Sequence, residues 1–380
     1  MRHWLLAFLL PACAGGFAQA DQDREDEALS AAGIAGEILD TAVEHCRRGE
    51  SVQALSLFQA MRAQLEPPPA ILRLIQDLEA TGCHRRQAAA RQGGLRVQLG
   101  AGWDSNVSQG ITANRLVIGS GANAIELALD ESYRPRSSPF TQASVDYTLV
   151  LPGSGLNLQG SVGHRKNTRE SAFDLSTASA AVSREFKVRD SIVRAEFDLA
   201  EIWLGPRHYQ RTRGGSLRWL RATSAGTWLA TANAVKVVYL TQPAQNALQH
   251  DVGLLLERRL NAATSVSGGL SLQHDKANDG RPGGDRRGFQ VQAGALFLAS
   301  GWRFRPQLSY SRWSSEDVFA PGLIDVPRRN ALSQAVLQAE KPLSAQSSLV
   351  FEWRGRRARD TVVLYGYKAQ AFTTTLVHRF

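Results

Sequence analysis

Two hydrophobic periods divide the chain. From Gly94 onward apolar and polar residues alternate one by one, with Leu95, Val97, Leu99, Ala101 and Trp103 set against Arg96, Gln98, Gly100, Gly102 and Asp104. The alternation returns through Ala143, Val145, Tyr147, Leu149 and Leu151, and again through Leu156, Leu158 and Val162. A period of two puts the two sets on opposite faces of a strand. The pattern predicts fourteen strands, at 95–105, 138–151, 155–166, 173–187, 190–203, 210–222, 226–240, 247–260, 264–276, 286–299, 301–315, 328–342, 345–358 and 366–380. Links after even-numbered strands are tight, as at Pro152-Gly153-Ser154, Val188-Arg189, Ser224-Ala225, Ser300 and Pro342 to Ser344. Links after odd-numbered strands are mostly longer, notably 106–137, 277–285 and 316–327. An even strand number with alternating short and long links predicts a closed transmembrane barrel, short turns in the periplasm and long loops outside. A soluble sandwich gives no reason for that asymmetry. The expected fold class is therefore mainly β: a 14-stranded antiparallel transmembrane β-barrel over 93–380, its first strand paired with its last.

Before the barrel the period is helical. Ile34, Ile38, Leu39, Ala42, Val43 and Cys46 share one helix face, and Arg47-Arg48-Gly49 stops that helix. A second helix starts near Ser51 with Val52, Leu55, Phe58 and Met61, and Pro67-Pro68-Pro69 breaks it. A third carries Ile71, Leu74, Ile75 and Leu78. Residues 21–92 thus form a small helical domain. Glycine, then Ala54-x-x-x-Phe58, then proline near 67 resembles part of a tetratricopeptide repeat; a generic helical hairpin is the alternative.

The first 20 residues read as a secretory signal: Arg2 and His3, an apolar run from Trp4 to Leu10, and the small-x-small site Ala18-Gln19-Ala20. Leu10-Pro11-Ala12-Cys13 also resembles a lipoprotein cleavage box, which would leave Cys13 lipidated. No later stretch has the ~18 apolar residues of a membrane-spanning helix. Of three cysteines, Cys46 and Cys83 remain after the signal. An even pair in an exported chain predicts a disulfide, with two buried thiols as the alternative. The net charge of +9 suits a polyanionic neighbour. For a barrel that neighbour is lipopolysaccharide in the outer-membrane bilayer; nucleic acid is not expected. Trp103, Trp203, Tyr209, Tyr239, Trp313, Tyr365 and Tyr367 lie near strand ends, where an interfacial girdle would sit.

Catalytic motifs are missing: there is no G-x-S-x-G, H-E-x-x-H or C-x-x-C, and the eight histidines are scattered. Neither an enzyme nor a cofactor is expected. Asp275-x-x-Asn278-Asp279-Gly280 with Asp285 reads as a polar loop or, less well, as calcium ligands. Alternation points Arg96, Arg165, Arg184, Arg194, Arg218, Arg303, Arg305 and Arg354 into the lumen, opposed by Asp104, Asp146, Glu196, Asp198 and Glu352. Such mixed charge predicts a structural ladder first and anion selectivity second. Loop 106–137 is long enough to plug the lumen or to stand outside it.

The strand run ending in Phe372, Leu376 and Phe380 looks like the C-terminal signal read by the bacterial barrel assembly machinery. The first strand's exit, Gly102-Trp103-Asp104-Ser105-Asn106-Val107, resembles the opening motif of the surface lipoprotein assembly modifier family. That family also pairs a periplasmic tetratricopeptide-like segment with a fourteen-strand barrel; here the segment is shorter. The resemblance implies an outer-membrane translocator that delivers client proteins, surface lipoproteins or secreted proteins. A channel for anionic solutes or exported polysaccharide is the alternative reading of the same layout.

Overall fold

The computed structural model describes residues 38–46, 50–64, 72, 75–76 and 92–380, apart from 119–123, 152 and 279. The signal at 1–20, Cys13, Cys83 and the triple proline lie outside the described residues. Helix α1 covers 38–46 and α2 covers Ser51–Gln64. Between them they bury Ala42, Cys46, Ala54, Phe58 and Met61, and Ile75 joins the same cluster. Small Ala54 and large Phe58 lie one turn apart on α2, so a single face makes the core. Cys46 is disulfide-bonded.

Sixteen strands follow. They are β1 (Gln92–Asp104), β2 (Arg115–Ile118), β3 (Ile125–Ala128), β4 (Ser138–Leu151), β5 (Leu156–Asn167), β6 (Leu175–Val188), β7 (Ser191–Leu204) and β8 (Arg207–Thr223). The second half comprises β9 (Gly226–Tyr239), β10 (Ala247–Arg259), β11 (Thr264–Ala277), β12 (Arg286–Ala299), β13 (Trp302–Ala320), β14 (Ile324–Pro342), β15 (Ser347–Asp360) and β16 (Tyr367–Arg379). Fourteen of them close into an antiparallel barrel: β4 to β16 pair in chain order, and β1 joins β4 to β16. The remaining two, β2 and β3, form a separate hairpin within the long loop after β1.

Two expected links shorten. The loop expected at 316–327 is strand on both sides, and Ala320 still faces Ile324 across a three-residue tip. Its polar residues are tolerated because a hairpin projecting beyond the apolar belt meets water on both faces. Likewise β8 begins at Arg207, three residues ahead of the expected position, leaving only Gly205-Pro206 as the turn. At the opposite rim Ser300 and Gly301 both adopt left-handed φ, 51° and 68°. That is the turn geometry whose twist matches a hairpin. Glu50, just ahead of α2, lies within electrostatic range of Glu185 near the end of β6. The helical segment therefore reaches the short-turn mouth of the barrel.

Candidate functional site: the lumen and the seam

Parity along each strand sorts side chains outward or inward. Leu99, Val145, Val162, Val252, Leu308 and Leu337 are exposed on the outer face, while their strand neighbours are polar. An apolar exterior over a polar interior is the arrangement of a transmembrane barrel, where closure leaves no backbone edge in lipid. Inward positions are narrower than the strand number alone implies. Along β16 the outward residues through Leu376 are exposed and the inward ones half-buried or buried, so the barrel partly fills its own lumen.

Register places Arg96, Arg165, Arg194, Arg218, Arg303, Arg305 and Arg354 on the inward face. Each meets a carboxylate. Arg96 lies 3.0 Å from Asp146, which also accepts from Gln98 at 2.9 Å and Ser161 at 2.8 Å. Arg165 donates to Asp104 at 3.1 Å while its guanidinium sits 3.7 Å above the Phe140 ring. Arg194 and Arg218 share Glu196, at 2.7 and 3.1 Å, and Arg354 holds Glu352 at 2.5 Å. Unpaired, each charge would meet the desolvation cost of a confined site; paired, the set forms a ladder that stiffens the wall.

Arg184 departs from the expected parity. It faces Leu156 and lies over the Phe186 ring, 5.3 Å from its centroid, on the outer face. Small residues on both faces of β6 hide the parity there, and only the pairing with β5 fixes it. The aromatic girdle is also partly redrawn. Trp103 and Trp203 point outward, but Tyr239, Trp313 and Tyr367 share the parity of inward Gln210, Gln290 and Ala369. Trp313 then lines, with Gln273, Gln290, Gln292, Ser309 and Gln334, a luminal cavity of about 150 Å³.

One site in the lumen is unevenly charged. Glu340, 4% exposed at its side chain, is met by Arg305 at 3.0 Å, Arg379 at 3.8 Å and Arg303 at 3.9 Å. Arg379 in turn stands directly across from Arg96. Two residues up the wall from Arg354, Arg356 bonds to the Tyr367 phenol. The inward face of β13–β16 and β1 is thus a cationic wall, and that of β10–β12 carries amides and serines together with the carboxylates Asp251 and Glu257.

The calcium reading does not survive the side-chain contacts. Asp275 is wholly buried against Arg281, at 2.7 Å, and against Arg286, so guanidinium groups take the carboxylate that a cation would need. Asp285 accepts from the backbone N–H of Ala277 at 2.8 Å and caps the turn.

The motif at the exit of β1 builds the seam where β1 meets β16. A Cβ on Gly102 would collide with the carbonyl oxygen of Phe372 and the Phe140 ring, so only glycine fits. Trp103 stacks on Phe372 at 6.5 Å. Ser105 exchanges bonds with Gln370: its N–H donates to the Gln370 carbonyl at 2.8 Å, and its hydroxyl accepts from the Gln370 N–H at 2.8 Å. Asn106, 3% exposed, donates to the carbonyls of Gly110 and Lys368 at 2.9 and 2.8 Å and accepts from the Gly110 N–H at 2.7 Å. Val107 N–H donates to the Arg136 carbonyl at 2.8 Å and ties both ends of the long loop together. Sequence reasoning marked these residues as a motif and missed their partners, which lie on the far strand. The loop's outer hairpin does not join the wall: β3 is exposed throughout. Its 3₁₀ turn is capped by Asp130, whose carboxyl two Ser132 hydrogen bonds hold below the usual range. Phe372, Leu376 and Phe380 all face outward, 50%, 43% and 71% exposed.

No family model matches the chain, and no curated protein matches it. Among solved structures it is similar to an anion-selective porin from Comamonas acidovorans, at 11% identity over 77% of this chain and 99% of that one, with a TM-score of 0.42. OmpT of Vibrio cholerae is 8% identical over 77% and 99% of the two chains, with a TM-score of 0.43. OccK1 (OpdK) of Pseudomonas aeruginosa is 8% identical over 76% and 98%, with a TM-score of 0.39.

Proposed function

We propose that the chain is an outer-membrane conduit whose polar lumen passes small anionic solutes. The observation that carries this reading is the cationic wall, where one carboxylate, Glu340, is shared by Arg303, Arg305 and Arg379. Elsewhere the lumen mixes both signs, with Arg194 and Arg218 on Glu196 and with Asp251 and Glu257 on polar partners, so the positive excess is concentrated on this wall of the permeation path. On the opposite wall Gln273, Gln290 and Gln292 supply neutral hydrogen-bonding partners for a partly dehydrated solute, beside the carboxylates Asp251 and Glu257. The helical segment at the short-turn mouth would then lie at the periplasmic entrance.

Client delivery is the second reading, favoured by the resemblance at Gly102–Val107 and by a helical segment whose Glu50 lies near Glu185 at the short-turn rim. Both readings need the same barrel, so conduction and clients are measured separately. Purified protein in a planar bilayer under a salt gradient is expected to conduct with anions more permeant than cations. Absence of conductance together with loss of specific surface proteins from a deletion strain would replace the first reading with the second.

A further inference from the structure

The outer face carries a second charge pattern: some of its cations are paired, as Arg211 is with Glu201 and Arg287 with Glu316, and others are not. Near the long-loop rim Arg213, Lys236, Lys276, Arg312, Arg357 and Lys368 all share outward parity. Among the described residues none of these six forms an ion pair, whereas the inward arginines of the ladder do. Two of the contacts are like-charged: Arg213 stands directly across from Lys236, and Arg357 directly across from Lys368. Like charges opposite one another in a sheet are destabilising unless an anion lies between them. Arg357 is ten residues along β15 from Ser347 at the short-turn rim. At the rise and tilt of a barrel strand this is roughly 25 Å, the height of the apolar band. The cations therefore stand at the upper edge of the lipid-facing belt, where phosphates of an outer leaflet would lie.

Directly beneath Arg357 and Lys368 the outer wall is hollow. Ala293, Ala335 and Gly355 leave a trough of about 730 Å³ between Leu308, Tyr310 and Trp353. Leu308, Tyr310 and Trp353 wall this trough, and its floor of small residues lacks side-chain volume that an apolar chain from outside would supply.

We propose that Arg357 and Lys368, with this trough, form a binding site for a phosphorylated, multiply acylated glycolipid, lipid A, its phosphate bridging the two cations and one acyl chain lying in the trough. The site rests on the outer-membrane reading of the barrel, and not on what the lumen carries. The full-length protein, stripped of lipid in detergent, would be mixed with lipid A, with dephosphorylated lipid A or with phosphatidylglycerol, and retained lipid counted by native mass spectrometry. One lipid A per chain is expected. The double variant Arg357→Ser/Lys368→Ser should lower its retention about tenfold, Ala335→Trp should lower it by filling the trough, and dephosphorylated lipid A should behave as the double variant does. Heat-modifiable mobility on gels confirms that each variant is a folded barrel. Equal retention by wild type and double variant, or phosphatidylglycerol retained as well as lipid A, overturns the proposal. So does a dimer that Ala335→Trp dissolves, since the trough would then be a self-interface. Conductance read on the same samples separates the two ideas: lipid A binding without conduction would sink only the conduit.

Discussion

Asn106 concentrates at one residue what the seam requires. Its amide serves two carbonyls and one N–H, and Lys368, one of its partners, lies 262 residues away in sequence. Asn106→Ala strands these buried backbone groups, at a cost of about 2–3 kcal/mol. A lower urea midpoint for the reconstituted barrel, with strand content unchanged, is the expected result; an unchanged midpoint would show that water replaces the amide. Sequence alone could mark Asp-Ser-Asn as unusual. It could not show the bonds, because hydrogen-bond partners across a closure are set by register, not by local pattern. The same limit explains Arg184 and Trp313, whose faces were decided by the strand beside them.

At the scale of elements the alternation was nearly sufficient. Strands β4 and β12 have the bounds their patterns predicted, and the turn at Ser224-Ala225 lies where it was expected. What escaped was the projecting β13–β14 hairpin, whose charged residues obey no apolar period because neither face meets lipid or core. Strand β16 separates stability from delivery. Phe380 is exposed and bonds to β1 only through its backbone N–H, at 2.9 Å from the Leu95 carbonyl. Phe380→Ala should therefore leave the unfolding midpoint of the purified barrel within about 0.5 kcal/mol of wild type. Its effect is expected in cells, as a smaller heat-modifiable fraction. Equal yields would remove the side chain as an assembly signal. In the helical segment the buried, oxidised Cys46 predicts that its peptide is alkylated only after reductant, as mass mapping would show.

For the whole molecule, charge is distributed by environment: an arginine–carboxylate ladder inside, and at the outer rim a set of cations that includes Arg357 and Lys368 facing each other. Glu340→Gln tests the inner half. It removes a counter-charge that Arg303, Arg305 and Arg379 share, and raises the positive charge of the lumen by one. The expected outcome is a higher anion-to-cation permeability ratio, read as a shifted reversal potential, with a loss of stability of about 1–2 kcal/mol, since the arginines are part-exposed and solvent screens what they lose. An unchanged ratio would mean that ions do not pass along this wall. Composition announced the basic excess, but only the closed sheet shows that it is divided between two surfaces with different neighbours.

The seam also has a consequence in time. Every other barrel hairpin joins strands adjacent in sequence, so its partners meet soon after both exist. Strand β1 gains one neighbour early, in β4, yet keeps an open edge until β16 arrives. Contacts so far apart in sequence are slow to form. Until then the nascent sheet has two adhesive edges at once, each able to pair with another chain. Closure is therefore the step at which this protein is most exposed to error, and the hydrogen bonds gathered around Asn106 form where the slowest contact must be made to last.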